Sequence, residues 1–171
     1  ARLKERSVRV VLIGRGSEKA ALQRLVQRKG LEEKVAIWHP VSHENITALL
    51  PHFDALFIGL QKKPLFRYGI SPNKLMDYMA AARPVIFSVD CPQNPVAACG
   101  CGLVVPPEDP QKTAGAIERL CHMSEEERQR MGERGRQYIR QHHNEERLAG
   151  QYLQLLTRIA PHRYEREKDG E

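Results

Sequence analysis

The run from Tyr68 to Ser88, YGISPNKLMDYMAAARPVIFS, constrains this chain most. Gly69 permits a tight or positive-φ backbone. Ser71 is suited to an N-cap, and Pro72 to the first position of a helix. Pro84 ends that helix, and the apolar run after it reads as a buried strand. A helix held between a glycine turn and a buried strand is an α/β unit. Its first turn points unpaired backbone N–H groups, and the positive end of the helix dipole, at whatever lies before it. That arrangement suits an anion, phosphate in particular. Lys74 adds a positive charge in the same turn. Asp77 lies one turn further on, where a carboxylate can accept hydrogen bonds from a sugar diol. An ordinary structural helix with a Ser-Pro start has the same local chemistry, so both readings stand at this level.

The rest of the chain repeats the unit. Val8–Ile13, Val35–Trp38, Ala55–Ile58, Pro84–Ser88 and Leu103–Val105 read as strands. Ser17 is placed to cap a helix carrying Ala21, Leu22, Leu25 and Val26 on one face, with Gly30 as its stop. Ser42 caps a short helix with Ile46, Leu49 and Leu50. Asn94–Cys99 reads as a helical turn, and Asp109-Pro110 opens another helix. Ser124 to Glu127 form a capping box for a helix reaching Gln141. Asn144 caps a last helix with Leu148, Tyr152, Leu155, Leu156 and Ile159 on one side. The predicted fold class is α/β: a Rossmann-like parallel sheet with helices on both faces and extra C-terminal helices. Ligands of such sheets bind beyond the carboxyl ends of the strands. The loops after Ile13, Trp38, Ile58, Ser88 and Val105 should therefore border a site.

Composition narrows the function classes. With 171 residues, 41% hydrophobic and 28% charged, the chain fits one globular domain with a real core. No apolar run is long enough to span a membrane, and the start, ARLKERS, lacks the apolar stretch of a signal peptide. Residues 1–30 hold nine Lys/Arg against two Glu, and the remainder is nearly balanced. A basic front could meet nucleic acid, anionic lipid or phosphorylated ligands, or be a solvated helix face. No aromatics interleave it, so no nucleic-acid partner is expected. Cys91, Cys99, Cys101 and Cys121 form no C-x-x-C pair and read as reduced, packed thiols, which fits a cytoplasmic setting. The histidines show no metal spacing, and no metal site is expected. Gly14-Arg15-Gly16 is a weak dinucleotide signal, because Lys19 stands where the third glycine should be. Close packing of turn against helix accounts for those glycines equally well.

Several runs together resemble glycosyltransferase family 4, whose signature reads close to GxSPxKLxEYMAAGxPVI. YGISPNKLMDYMAAARPVI matches it. VRVVLIGRGSEKAALQRL, VAIWHPV, HFDALFI, CGCGLVVPPEDPQKTAGAI and MGERGRQYI resemble further family segments in the family's order, over about Val8 to Leu156. The match is strongest to transferases that build lipopolysaccharide and capsule repeat units. The resemblance implies the C-terminal, donor-binding half of a two-domain GT-B enzyme. Residues 1–160 would form the nucleotide-sugar-binding domain, its first strand lying upstream, and 161–171 a charged, disordered tail. It implies a retaining, hexosyltransferase-type activity on a nucleotide diphosphate sugar, UDP-sugar favoured, with no obligatory metal or further cofactor. Asp77 would hold the ribose, and Lys74 the diphosphate together with backbone amides of the run from Ile70 through Ser71 to Asn73, with Gly69 as a further nucleotide-site residue. His39, Pro40 and Val41 would border the base.

The sequence also departs from the family pattern. The family's acidic contact to the donor sugar has no match, and Arg67 stands near its place, a candidate contact for an anionic donor sugar or for phosphate. Ala82 replaces a glycine, which a modest backbone change would accommodate. The implied partners are the acceptor-binding N-terminal domain of the same protein and a glycan or lipid-linked acceptor at the inner membrane face. The isolated chain is expected to be inactive, and Leu148, Tyr152 and Leu155 are expected to be exposed in it. The alternatives are a stand-alone, non-catalytic nucleotide- or phosphate-binding module, a basic nucleic-acid or membrane-surface protein and, more remotely, an NAD-linked enzyme.

Overall fold

The computed structural model describes residues 8–70 and 72–159. The capping role of Ser71 and the disorder of residues 161–171 thus lie outside the described residues. The short apolar runs are strands and the segments between them helices: β1 (Val10–Ile13), α1 (Lys19–Arg28), β2 (Val35–Trp38), α2 (His43–Leu49), β3 (Leu56–Gly59), α3 (Asn73–Ala80), β4 (Val85–Ser88), α4 (Pro95–Cys99), β5 (Gly102–Val104), α5 (Pro110–His122), α6 (Glu125–His142) and α7 (Glu145–Ile159). Short 3-10 turns, Leu50–His52 and Pro64–Tyr68, precede β3 and α3.

Every described strand pair is parallel, as the alternation of strand and helix predicts. The strands form two ladders, β1–β2 and β3–β4–β5. Gly59 pairs with Ser88, so β3 and β4 end level. The Leu60 N–H carries the ladder on to the Ser88 carbonyl (3.2 Å), and the Val105 N–H bonds to the Phe87 carbonyl (3.0 Å). The loops that leave β3, β4 and β5 therefore emerge along one edge.

Side chains fix most of the helix starts. Ser42 accepts from the Asn45 N–H (3.3 Å), Asn94 from Ala97 (3.1 Å), Asp109 from Gln111 and Lys112 (3.0 and 2.9 Å) and Asn144 from Arg147 (2.9 Å). The Ser124–Glu127 capping box is complete, with bonds of 2.7 and 3.1 Å. Gly30 ends α1 at φ +59°. Ser17, however, does not cap α1. Glu18 stands at that place with a helical backbone and no side-chain bond. The Lys19 N–H already reaches the Gly16 carbonyl (3.2 Å), so the chain enters α1 from a turn and the extended geometry of a serine cap has no place there. Helix α3 begins one residue later than the proline suggests: Pro72 is extended (ψ 116°), and Asn73 is the first helical residue.

The core lies around β4. On one face Val85 and Phe87 pack with Leu75 and Met79 of α3, Val96 of α4 and Cys101. On the other, Ile86 packs with Val105, with Ala116 and Leu120 of α5 and with Met131 of α6. Helix α6 comes close to the end of α3 because Gly132 has no side chain; a Cβ there would strike the backbone of Ala82 and Arg83. Ala82 itself sits at φ +54°. The backbone change expected for an alanine in this place has not happened: Ala82 keeps the left-handed geometry of a glycine, held there by the turn between α3 and β4. Residues 146–159 of helix α7 are exposed, Leu148, Tyr152 and Leu155 included, as expected. Among the described residues no helix is long and apolar enough to cross a membrane.

Candidate functional site

Helix α3 is anchored by Leu75 and Met79, which are 1% and 0% exposed. That anchoring fixes the other side of the helix, where Asn73 and Lys74 are exposed and Asp77 is half-buried. The amides of Asn73 and Lys74 belong to the first turn, where backbone N–H groups have no partner within the helix. Gly69, ahead of the helix, has φ +101°, a conformation that favours glycine, and its N–H bonds to the Phe66 carbonyl (3.0 Å). A Cβ there would lie 3.6 Å from Gln93 Oε1, so this turn lies beside the loop that leaves β4. Ile70 packs against the core. The sequence thus places its turn, cations and carboxylate on one short stretch with a rigid support.

Asp77 also reaches a second part of the chain. Its Oδ2 lies 3.5 Å from Nε2 of His43, the first residue of α2. His39, Pro40 and Val41 are exposed in the loop that joins β2 to α2. The Asp77–His43 approach therefore brings the loop after β2 to the face of α3 that carries Lys74. Burial raises the Tyr78 phenol above its ordinary value, and the neighbouring Asp77 charge raises it further. Arg67 is exposed; its guanidinium donates to Tyr68 Oη (2.6 Å) and stands 4.7 Å from the centre of that ring.

Not every expectation converges here. No described contact links Gly14-Arg15-Gly16 to this face. Nothing lies within 4 Å of a Cβ built on Gly14 or Gly16, so close packing of turn and helix does not explain these glycines. Three cationic or titratable residues escaped the sequence reading. His43 follows the Ser42 cap at the carboxyl end of a strand, and that position was its one signal. Lys62 and Lys63 line the loop after β3, ahead of the 3-10 turn that leads into Arg67. The four cysteines are free, and Cys101, buried beside Cys99, has its thiol pushed well above the ordinary range.

The model of the family described as glycosyl transferases group 1 matches residues 1–123. Among solved structures, sucrose-phosphate synthase from Thermosynechococcus elongatus is similar over 92% of this chain and 47% of its own (TM-score 0.71, 19% identity). Anabaena HepE in complex with UDP-glucose is similar over 88% and 41% (TM-score 0.68, 17% identity). WaaG, a glycosyltransferase involved in lipopolysaccharide biosynthesis, is similar over 76% and 33% (TM-score 0.62, 17% identity). The chain thus spans less than half the length of each. No curated protein matches it in sequence. The folds agree with a Rossmann-like half of a GT-B enzyme, and the family match runs from before β1 through the end of α5, so this chain belongs to the group 1 glycosyl transferases.

Proposed function

We propose that the chain is the donor-binding domain of a retaining glycosyltransferase that uses a nucleotide diphosphate sugar, with a glycan, lipopolysaccharide or lipid-linked acceptor. The observation that carries this reading is the position of Asp77: half-buried, on the Lys74 side of α3, and 3.5 Å from His43 at the start of α2. A carboxylate so placed is suited to the ribose hydroxyls. Lys74, with the amides of Ile70 and Asn73, is suited to the diphosphate, whereas the Gly69 N–H is taken by the Phe66 carbonyl. Preorganised positive groups there would also stabilise the diphosphate as it leaves, and the reaction needs no metal on this reading. The base would lie along His39, Pro40 and Val41. Similarity in fold to HepE in complex with UDP-glucose, and to WaaG, supports a UDP-sugar and a polysaccharide or lipopolysaccharide acceptor. Acceptor recognition would belong to a second domain of the same protein, working at the cytoplasmic face of the membrane. The 171-residue chain alone is therefore expected to bind donor without transferring sugar.

Calorimetric titration with UDP, GDP, ADP and NAD tests the reading. Selective binding of one nucleoside diphosphate, weakened tenfold or more in Asp77→Ala, is the expected result (about 1.4 kcal/mol). Equal binding of all four, or nucleotide binding indifferent to Asp77, would overturn it.

A further inference from the structure

The loops leaving β3 and β4 border an open groove of about 390 Å³, lined by Lys62, Lys63, Pro64, Arg67, Asp90 and Cys91. Because β3 and β4 end level, the groove opens at the carboxyl ends of the strands, where ligands of parallel sheets bind. Its charge is one-sided. Lys62 has Asp90 as a partner at 3.9 Å. Among the described residues the side chain of Lys63 has no hydrogen bond or ion pair, and Arg67 donates only to its neighbour Tyr68. Two cations are thus left without a counter-charge in a groove walled by backbone, two prolines and a thiol.

We propose that this groove binds a carboxylate carried by the sugar of the donor, so that the chain selects nucleotide sugars of the uronic-acid class. The proposal rests on the donor-site reading above and goes further by naming the substrate. On that reading the diphosphate lies at the start of α3. The groove is joined to that start through Arg67, two residues before Gly69, and the same Gly69 turn lies beside Gln93 of the β4 loop. The group next to a donor diphosphate is the sugar. A neutral sugar would leave Lys63 and Arg67 facing hydroxyls alone, whereas a carboxylate supplies the missing charge. The planar fork of Arg67 matches a carboxylate with two parallel N–H···O bonds, and its bond to Tyr68 occupies only part of its donor set. The ring of Tyr68 also holds the guanidinium in place, which lowers the cost of ordering it.

The test is a calorimetric comparison of UDP, UDP-glucose and UDP-glucuronic acid, on the chain and on a Lys63→Ala/Arg67→Ala double variant. Both residues are exposed, and circular dichroism would check that the variant keeps its fold. The acidic donor is expected to bind about tenfold tighter than UDP-glucose, as a charge-assisted hydrogen-bonded pair gives. In the double variant that gap is expected to close while UDP affinity stays the same. Equal binding of the two sugars by the unaltered chain would overturn the proposal and leave the donor-site reading intact. A variant that loses UDP as strongly as UDP-glucuronic acid would put the diphosphate in the groove and overturn it as well. If none of the three binds and GDP does, GDP-mannose and GDP-mannuronic acid replace the sugar pair under the same criteria. If no nucleoside diphosphate binds, the donor-site reading fails and the proposal falls with it.

Discussion

No residue of β4 is exposed, and no residue of β1 is buried. Both are four-residue parallel strands dominated by β-branched and large apolar side chains, each followed by a helix. In β4, Val85 and Phe87 are fully covered; in β1, Val10 and Leu12 are 37% and 39% exposed. The same contrast runs through the neighbours. The body from β3 to α6 holds both core clusters, whereas α1 and α2 have no buried residue. An apolar run makes a strand, but only a second layer makes a core. The body has α3 and α4 on one face and α5 on the other, with α6 reaching both, and β1–β2 has no such pair of layers among the described residues. At about 25 cal/mol per Å² of apolar surface, stability should be concentrated in the body. The candidate site draws on both parts: α3 comes from the tight body, and His43, at the start of α2, comes from the thinly covered unit.

The largest expected effect tests the body. Gly132→Ala puts a methyl group into the backbone of Ala82 and Arg83, where no flexible side chain can give way. We expect a loss of about 3 kcal/mol, at the top of the range for overpacking, read from urea unfolding. A loss below about 1 kcal/mol would mean that α3 and α6 separate easily and that the body is softer than its burial suggests. Next comes hydrogen exchange. The β1 amides should exchange through openings at least about 1.4 kcal/mol cheaper than those of β4, a tenfold difference in rate. Equal protection would show that the two ladders open as one unit and would end the comparison.

How much of this was legible in the sequence depends on how local the cause is. The caps Ser42, Asp109, Ser124 and Asn144 each act within three residues and were readable, whereas Asn94, read as part of a helical turn, caps it instead. The strand after Pro84 was readable for the same reason, because a proline stop and an apolar run decide it together. The Gly69 turn and Asp77 were readable because signature and support lie on one segment. Ser17 misled because a cap requires an extended backbone, and the Gly16 turn denied it one. His43 was not readable, since its meaning comes from a tertiary approach to Asp77 across the chain. Lys62 and Lys63 look like solvated loop lysines until β3 and β4 are set side by side.

Two smaller effects sharpen the contrast at the joint between the parts. Ala82→Gly relieves a left-handed alanine at φ +54° and should add about 1 kcal/mol, seen as a rise in the unfolding midpoint. A neutral result would mean that the freer unfolded chain of the glycine variant cancels the relief. His43→Ala should weaken nucleoside diphosphate binding by about threefold, less than Asp77→Ala, because the His43 side chain is largely solvent-exposed. His43→Gln, which keeps an N–H near Asp77, should restore most of it. If neither change affects binding, the thinly covered unit does not take part in the site.

The smallest effect separates α6, which has a complete capping box, from α1, which has no side-chain cap. Hydrogen bonds from the Ser124 backbone, and then from its side chain, hold the Glu127 carboxyl below its ordinary 4.5. A group depressed in the folded state stabilises above its unfolded value and loses that contribution as pH falls through its folded one. Glu127→Gln keeps a capping acceptor and removes the charge. The native chain should therefore melt slightly above the variant at pH 6 to 7, and the gap should close as pH drops below about 4.5. A gap that persists into acid would mean that the box acts through geometry alone, and that charge at this helix start does not help hold α6 against the body.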